Sequence, residues 1–315
     1  MLRQLVVWVG LAVGVLVWGI GWAQERYPSK AINFIIPFDP GGSADIEARV
    51  FANVLERVLG QPVVPVNRPG GGGSVAYAFL RTAPKDGYTV GWASSSILTN
   101  YRLGTMPFSY KEFDPVALVS VQAMAWVVRA DSPWRTFREL QAYAKANPGK
   151  VRVATAGPGS GTDMVALAIA KAAGIEVVRV PLGSGARVPA LLRGDVEVAS
   201  VPVPEAIQQI RGGQLRALVV TSEERDPALP QTPTLKELGF PVTMELFRGI
   251  VVPKGVAAER IQILAEAIRK AVQSQEWREF GEKNFFVPRF LGPEAFAKYL
   301  EEQDAAIRAE VEGGR

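Results

Sequence analysis

The sequence predicts an α/β fold of two lobes with a ligand cleft between them, and three observations carry that prediction. Buried strands run into glycine turns that open helices, twice near the amino terminus and again after residue 150. A long apolar extended stretch, Val116 to Arg129, leads out of the first set, and Met244 to Pro253 leads back. The composition, 48% apolar and 21% charged over 315 residues, is globular and sufficient for two domains of ordinary size.

The first strand, Lys30 to Phe38, meets Pro40-Gly41-Gly42-Ser43-Ala44-Asp45 and then a helix. Its apolar positions are Ile46, Val50, Val54 and Val58, with Phe51, Leu55 and Leu59 beside them, and Gly60 is the stop. A second strand, Gln61 to Asn67, enters Arg68-Pro69-Gly70-Gly71-Gly72-Gly73-Ser74 and a short helix from Val75 to Thr82. After the turn at Pro84-Lys85-Asp86-Gly87 comes a third strand, Tyr88 to Ala93, and Ser94-Ser95-Ser96 opens a loop. Such junctions leave backbone N–H groups unpaired at the positive end of a helix dipole, which suits an anion. Consecutive junctions lie side by side at the carboxyl ends of their strands, where open sheets bind ligands. The alternation predicts a mostly parallel sheet.

The pattern restarts after a helix from Trp134 to Ala146. Val151 to Ala156 is a strand, Gly157-Pro158-Gly159-Ser160-Gly161-Thr162-Asp163 a glycine junction, and Met164 to Ala173 a helix. Glu176 to Pro181, Val196 to Pro202 and Leu215 to Thr221 are further strands, with loops at Gly183-Ser184-Gly185 and Val203-Pro204-Glu205. Thr234-Leu235-Lys236-Glu237 has capping-box spacing and predicts a short helix. Two amphipathic helices, Ala257 to Ser274 and Pro293 to Val311, follow the return strand. One lobe is expected to hold residues 24–121 and 247–315, and the other 122–246.

Arg3 and nineteen uncharged residues, Leu5 to Ala23, ending in Gly21-Trp22-Ala23, have the layout of a cleaved secretory signal at 1–23. An uncleaved membrane anchor is the competing reading of the same run. No cysteine follows, so neither a lipid anchor nor a disulfide is available.

The net charge of +4 comes from basic residues scattered singly, which argues against nucleic-acid binding. With no His and no Cys, the chain cannot build a Ser–His–Asp triad, a thiolate nucleophile, or a His- or Cys-ligated metal site. Neither a metal nor a cofactor is expected. These absences favour a binder, in which two hinged lobes close around a small solute. An exported enzyme using paired carboxylates or a Ser–Lys pair stays open, as does a sensor presenting its closed form to a signalling partner.

Pro37-Phe38-Asp39-Pro40-Gly41-Gly42-Ser43-Ala44-Asp45 with Arg49 resembles the first signature of the substrate-binding receptors of tripartite tricarboxylate transporters, also called Bug receptors. Gly60 to Val64, Asn67 to Gly72 and Pro84 to Thr89 match the next blocks in order. Asn147 to Lys150, Gly157 to Gly161, Val180-Pro181, Gly194-Asp195-Val196, Arg225 and Pro230 to Gly239 extend the similarity over nearly all of the chain after the leader.

The resemblance implies a type II periplasmic-binding-protein-like fold, its lobes joined by two crossover strands. It implies a monomeric extracytoplasmic receptor that hands a carboxylate-bearing solute to a membrane permease. One carboxylate would sit on the first two glycine loops, partly through ordered waters. That assigns Phe38, Pro40, Gly41, Gly42, Ser43 and Asp45 from the first loop, and Gly71, Gly72 and Ser74 from the second. Asp45 is expected to organise the loop rather than pair with an anion.

Ser94 and Ser95 are candidates where these loops converge, and Gly159, Ser160, Gly161 and Thr162 are candidates in the second lobe. Ser184, Arg187 and Pro204 complete the set, Arg187 as a bidentate donor to a second carboxylate. Trp92 and Phe247 read as core or hinge packing. The sequence departs from the family at Leu182-Gly183-Ser184-Gly185, where Tyr-Lys-Gly is common after Val-Pro, and around Thr162-Asp163-Met164, where a His is often found.

Overall fold

The computed structural model describes residues 27–312, so the leader expected at 1–23 lies outside the described residues. The first part of the chain forms β1 (Ile32–Ile36), α1 (Ser43–Leu59), β2 (Val63–Asn67), α2 (Ser74–Arg81), β3 (Thr89–Ser94), α3 (Ser96–Arg102) and β4 (Phe113–Arg129). The middle forms α4 (Phe137–Ala146), β5 (Val151–Thr155), α5 (Gly161–Ala173), β6 (Val177–Pro181), α6 (Arg187–Arg193), β7 (Val198–Pro202), α7 (Val203–Arg211) and β8 (Leu215–Val220). The chain returns through β9 (Glu245–Pro253), α8 (Ala258–Val272), α9 (Gln275–Asn284), β10 (Val287–Leu291) and α10 (Pro293–Glu312).

The strand order is β2-β1-β3-β9-β4-β7-β5-β6, with β8 and β10 also on β4. β4 is the element on which this order turns. Its first part, Phe113 to Ala123, pairs with Pro253 to Glu245 of β9. Its last part pairs with β7 through Met124 to Val127 and with β8 through Ala125 to Arg129. A strand this long needs apolar residues on both faces, and β4 is buried without a break from Val116 to Val128. Its proline, Pro115, sits where the register with β9 shifts, a place that tolerates a missing N–H.

The expected mostly parallel sheet is instead mixed. β1 is parallel to β2 and β3, and β5 is parallel to β6 and β7. Every pair made by β4 or β9 is antiparallel, because the two crossovers are themselves inserted into the sheets.

Successive strand residues face opposite sides, so each sheet supports two cores. On one side of the first sheet, Trp92 meets Phe34 edge-on at 5.4 Å and Phe51 meets Trp277 at 4.8 Å. On the other side, Phe247 packs against Phe296 and Tyr299. Trp92 and Phe247 are fully buried core residues. The second sheet carries Trp126, Phe137 and Ile169 on one face and Leu191, Val201 and Ile207 on the other.

Several local expectations need correction. Phe51, Val54 and Leu55 of the expected stripe of α1 are buried, but the buried face also takes in Ala44, Ala48 and Ala52, whereas Ile46 and Val58 are exposed. Alanines let the helix approach the sheet closely, and a stripe traced through bulky residues missed them. Ser96 begins a helix rather than extending a loop, and Val203-Pro204-Glu205 is the first turn of α7, where proline is accommodated.

At Thr234 the capping box forms in both directions, Glu237 N–H to Thr234 Oγ1 at 3.0 Å and Thr234 N–H to Glu237 Oε2 at 2.9 Å. Only a turn follows, because Gly239 and Phe240 end it at once. Neither α9 nor β10 was expected.

Candidate functional site

The carboxyl ends of β1, β5, β6 and β7 converge on one small cavity. It is lined by Phe38, Ser43, Ala44, Ala156, Ser160, Gly161, Thr162, Ser184, Arg187, Pro202, Leu246 and Arg248. Its volume is about 20 Å³, room for roughly one water. A larger cavity of about 750 Å³, lined by residues such as Phe137, Arg216 and Leu229, lies away from these strand ends.

Glycines set how closely the loops meet. A Cβ on Gly42 would stand 2.5 Å from Ser184 Oγ, and one on Gly72 would collide with the backbone of Pro158 to Ser160. A Cβ on Gly183 would lie 2.7 Å from Asp39 Oδ2. Thr99 Oγ1 donates to Gly159 O, and Asn100 Nδ2 donates to Gly72 O at 3.1 Å. The loops that follow β1 and β2 are thus shut against those that follow β5 and β6.

Two of these loops use the same internal brace. In the loop before α1, Gly41 N–H donates to Asp45 Oδ2 at 3.0 Å, while Arg49 Nε and Asn67 Nδ2 each reach Asp45 Oδ1 at 2.8 Å. In the loop before α5, Gly159 N–H donates to Asp163 Oδ2 at 3.3 Å and Arg179 Nη1 reaches the same oxygen at 2.6 Å. Pro40-Gly41 to Asp45 and Pro158-Gly159 to Asp163 have identical spacing, an internal echo that the sequence reading passed over. Burial opposes the charge on Asp45, but hydrogen bonds from Arg49, Gly41 and Asn67 outweigh it and hold the carboxyl below its ordinary value.

Of the candidates, Phe38, Ser43, Ser160, Gly161, Thr162, Ser184 and Arg187 line the cavity together. Pro40, Gly41, Gly42 and Asp45 form the wall and brace behind it. Gly71, Gly72 and Ser74 belong to the second loop, which abuts Pro158 to Ser160 rather than the cavity. Gly159 lies in that contact, its Cα against Asn100 and Thr105.

Ser94 is fully buried, its hydroxyl bonded to that of Ser96 at 2.8 Å. Ser95 accepts from Phe247 N–H at 3.3 Å and faces a neighbouring cavity of about 290 Å³. Pro204 is the second residue of α7, and Pro202 takes the lining position.

Sequence reading missed Arg248, Glu47 and Glu205. Arg248 lies on β9 opposite Ser94 and Ser120, and its Nη2 donates to Ser43 Oγ at 3.2 Å. Glu47, on the buried side of α1, accepts from Gln122 Nε2 at 2.5 Å, and its Oε2 is 3.7 Å from Arg248 Nε. Arg187 pairs with Glu205 and donates from Nη1 to Ser200 O at 3.2 Å. Burial pushes Glu47 and Glu205 above the ordinary carboxyl range, against the pull of Arg248 and Arg187 respectively. At Arg248 and Glu205 the available signal was a charge set in an apolar run, since a buried charge must find a partner; Glu47, between Asp45 and Arg49, carried no such signal.

The model of the family described as "Tripartite tricarboxylate transporter family receptor" matches residues 47–311. Protein BugT of Bordetella pertussis is 35% identical over 260 residues, covering 80% of this chain and 79% of its own length. The structure of MatC from Rhodopseudomonas palustris with bound malate superposes with a TM-score of 0.86 at 25% identity, covering 90% of this chain and 100% of that one. An R. palustris protein solved with adipate gives 0.84 at 25% identity, covering 91% and 98%.

Proposed function

The chain belongs to the tripartite tricarboxylate transporter receptor family, and from that premise we propose that it is a periplasmic receptor for a small carboxylate, which it delivers to the membrane permease of such a transporter. The observation that carries the reading is the convergence of four strand ends on one hydroxyl-lined cavity, shut by loops too closely opposed to admit a side chain at Gly42. A cavity of about 20 Å³ does not hold a dicarboxylate such as the malate or adipate of the two relatives. The solute therefore enters when the lobes part, and closing buries it.

The moving bodies are residues 24–121 with 247–315, and residues 122–246. β4 changes partners between Ala123 and Met124, which supports a hinge there and in the antiparallel β9 beside it. One carboxylate of the solute sits on the backbone amides at Gly42, Gly71 and Gly72, with the hydroxyls of Ser43 and Ser74, while Gly41 turns the loop and gives its own amide to Asp45. Phe38 and Pro40 shape that wall, and Asp45 braces it. From the other side close Gly159, Ser160, Gly161, Thr162, Ser184 and Arg187, while Ser94, Ser95 and Pro204 support the site from behind. Hydrogen bonds to a charged group contribute about 1.5–3 kcal/mol each, so a few amides suffice to select a carboxylate. The receptor works as a monomer, without cofactor or metal, and leaves its solute chemically unchanged.

A thermal-shift screen against mono-, di- and tricarboxylates, acidic amino acids and aromatic acids tests this. At least one carboxylate raises the melting temperature and is recovered intact by mass spectrometry. A panel without any shift contradicts the receptor reading, and a product of altered mass favours the exported enzyme.

A further inference from the structure

The cavity of about 750 Å³ sits at the end of the second sheet opposite the solute cavity. The solute lies at the carboxyl ends of β5 and β7, whereas Leu215, which lines the larger cavity, pairs with Arg129 beyond the amino-terminal end of β7. Its lining runs from Ala130 to Leu238, within the second lobe alone, so the parting of the lobes leaves it whole.

The floor is apolar and is made by the buried side chains of Phe137, Leu215, Leu218 and Leu229. Among the described residues, its charged lining is Arg135, Arg138 and Arg216, with no carboxylate. Arginines just outside it are neutralised, Arg129 by Asp131 and Arg225 by Glu237, but these three join no ion pair among the described residues. Arg138 is held by Gln141 Oε1 at 3.0 Å, by Leu238 O and by the ring of Phe240. Arg216 reaches Trp134 O at 3.4 Å, which brings it beside Arg135 and leaves most of its donors uncommitted.

Cavities of about 300–1,000 Å³ enclose whole ligands, with an apolar lining for burial and a few polar groups for orientation. Here the orienting groups are all cationic, and a guanidinium takes a carboxylate in bidentate fashion. A short diacid would leave the apolar floor uncovered. An acid with one charged end and a long apolar body would cover it.

We propose that this cavity binds a medium-chain fatty acid anion, its carboxylate at Arg135 and Arg216 and its acyl chain over Phe137, Leu218 and Leu229. This is a second binding function, separate from capture of the solute between the lobes and independent of the receptor reading.

The test is calorimetry on the full chain with octanoate, decanoate and dodecanoate below their micelle-forming concentrations. Octanamide is the uncharged match for octanoate. Each two-carbon step tightens binding about tenfold, as burial of two CH₂ groups requires, and octanoate binds about tenfold more tightly than octanamide. Arg135 is exposed and Arg216 half-buried, so Arg135→Gln with Arg216→Gln should fold. That paired variant binds decanoate about tenfold more weakly and octanamide as before. Arg135→Gln alone, with a smaller loss, serves if the pair misfolds. Gly42→Val, which obstructs the solute cavity, leaves decanoate affinity unchanged.

No binding of any of the three acids, no dependence on chain length, or equal binding of octanoate and octanamide overturns the site. So does decanoate binding that survives the paired change and is lost in Gly42→Val, which places the acid between the lobes instead. A wild type that self-associates in sedimentation, beside a paired variant that does not, gives this face to a second copy of the chain and also overturns it. Each of these outcomes leaves the receptor reading standing, because that reading falls only with the solute screen.

Discussion

Asp45 and Asp163 hold equivalent places in the first turns of α1 and α5, on opposite sides of the cavity, each four residues after a loop glycine whose N–H it accepts and each paired with an arginine. The carboxylates stiffen the loops from within, which keeps them away from an anionic solute. Stiff loops present their amides ready-made, so little ordering remains to be done at binding.

Asp45→Ala removes the acceptor shared by Gly41, Arg49 and Asn67. The variant is expected to fold, to lose about 2 kcal/mol of stability, and to bind its carboxylate at least tenfold more weakly. Urea unfolding and calorimetry on the same preparation check both. Unchanged affinity would remove the first loop from the site.

Gly41 and Gly42 separate local strain from closure. Gly41 has φ of +83° with open space around its Cα, so Gly41→Ala costs about 1 kcal/mol through the left-handed backbone alone. Gly42 has φ of −80° and ψ of 167°, which any residue adopts, but its Cβ would strike Ser184. Gly42→Ala or Gly42→Val should therefore spare the open form and weaken solute binding tenfold or more, about 1.4 kcal/mol. Similar affinities for the Gly42 variants and the wild type would mean that the lobes do not close at this contact.

Glu47 supplies a pH signature. Burial raises its folded-state pKa, with Arg248 and Gln122 opposing, so the folded chain holds this proton more tightly than the unfolded chain. Its contribution is fully present below the ordinary carboxyl range and is lost as pH rises through the raised value. Asp45 behaves oppositely, contributing above the ordinary range and losing that contribution as pH falls. The stability of the wild type minus that of Glu47→Gln should accordingly shrink as pH rises above the ordinary carboxyl range in denaturant titrations. A difference that grows with pH would contradict the assignment.

Much of the architecture was legible because strand–glycine–helix junctions are local. Gly41, Gly60, Gly159 and Gly174 all adopt the positive φ that such turns demand. The alanine part of the buried face of α1 was not legible because alanines carry little hydrophobic signal. α9 and β10 escaped because β10 exists only through pairing with β4, more than 160 residues earlier in the chain. The loop candidates were legible for the same reason as the fold. Arg248 was not, since its place at the cavity depends on the register of β9 with Ser94 and Ser120, a long-range property.

A crystal structure with a carboxylate identified in the thermal screen tests the central claim most directly. The account predicts closed lobes with one carboxylate on the amides of Gly42 and Ser43 and of Gly71 and Gly72, inside an enlarged form of the cavity that Ser184 and Arg187 line. A solute bound instead in the cavity beside Phe137 and Leu229, with the loops before α1 and α5 unengaged, would contradict it.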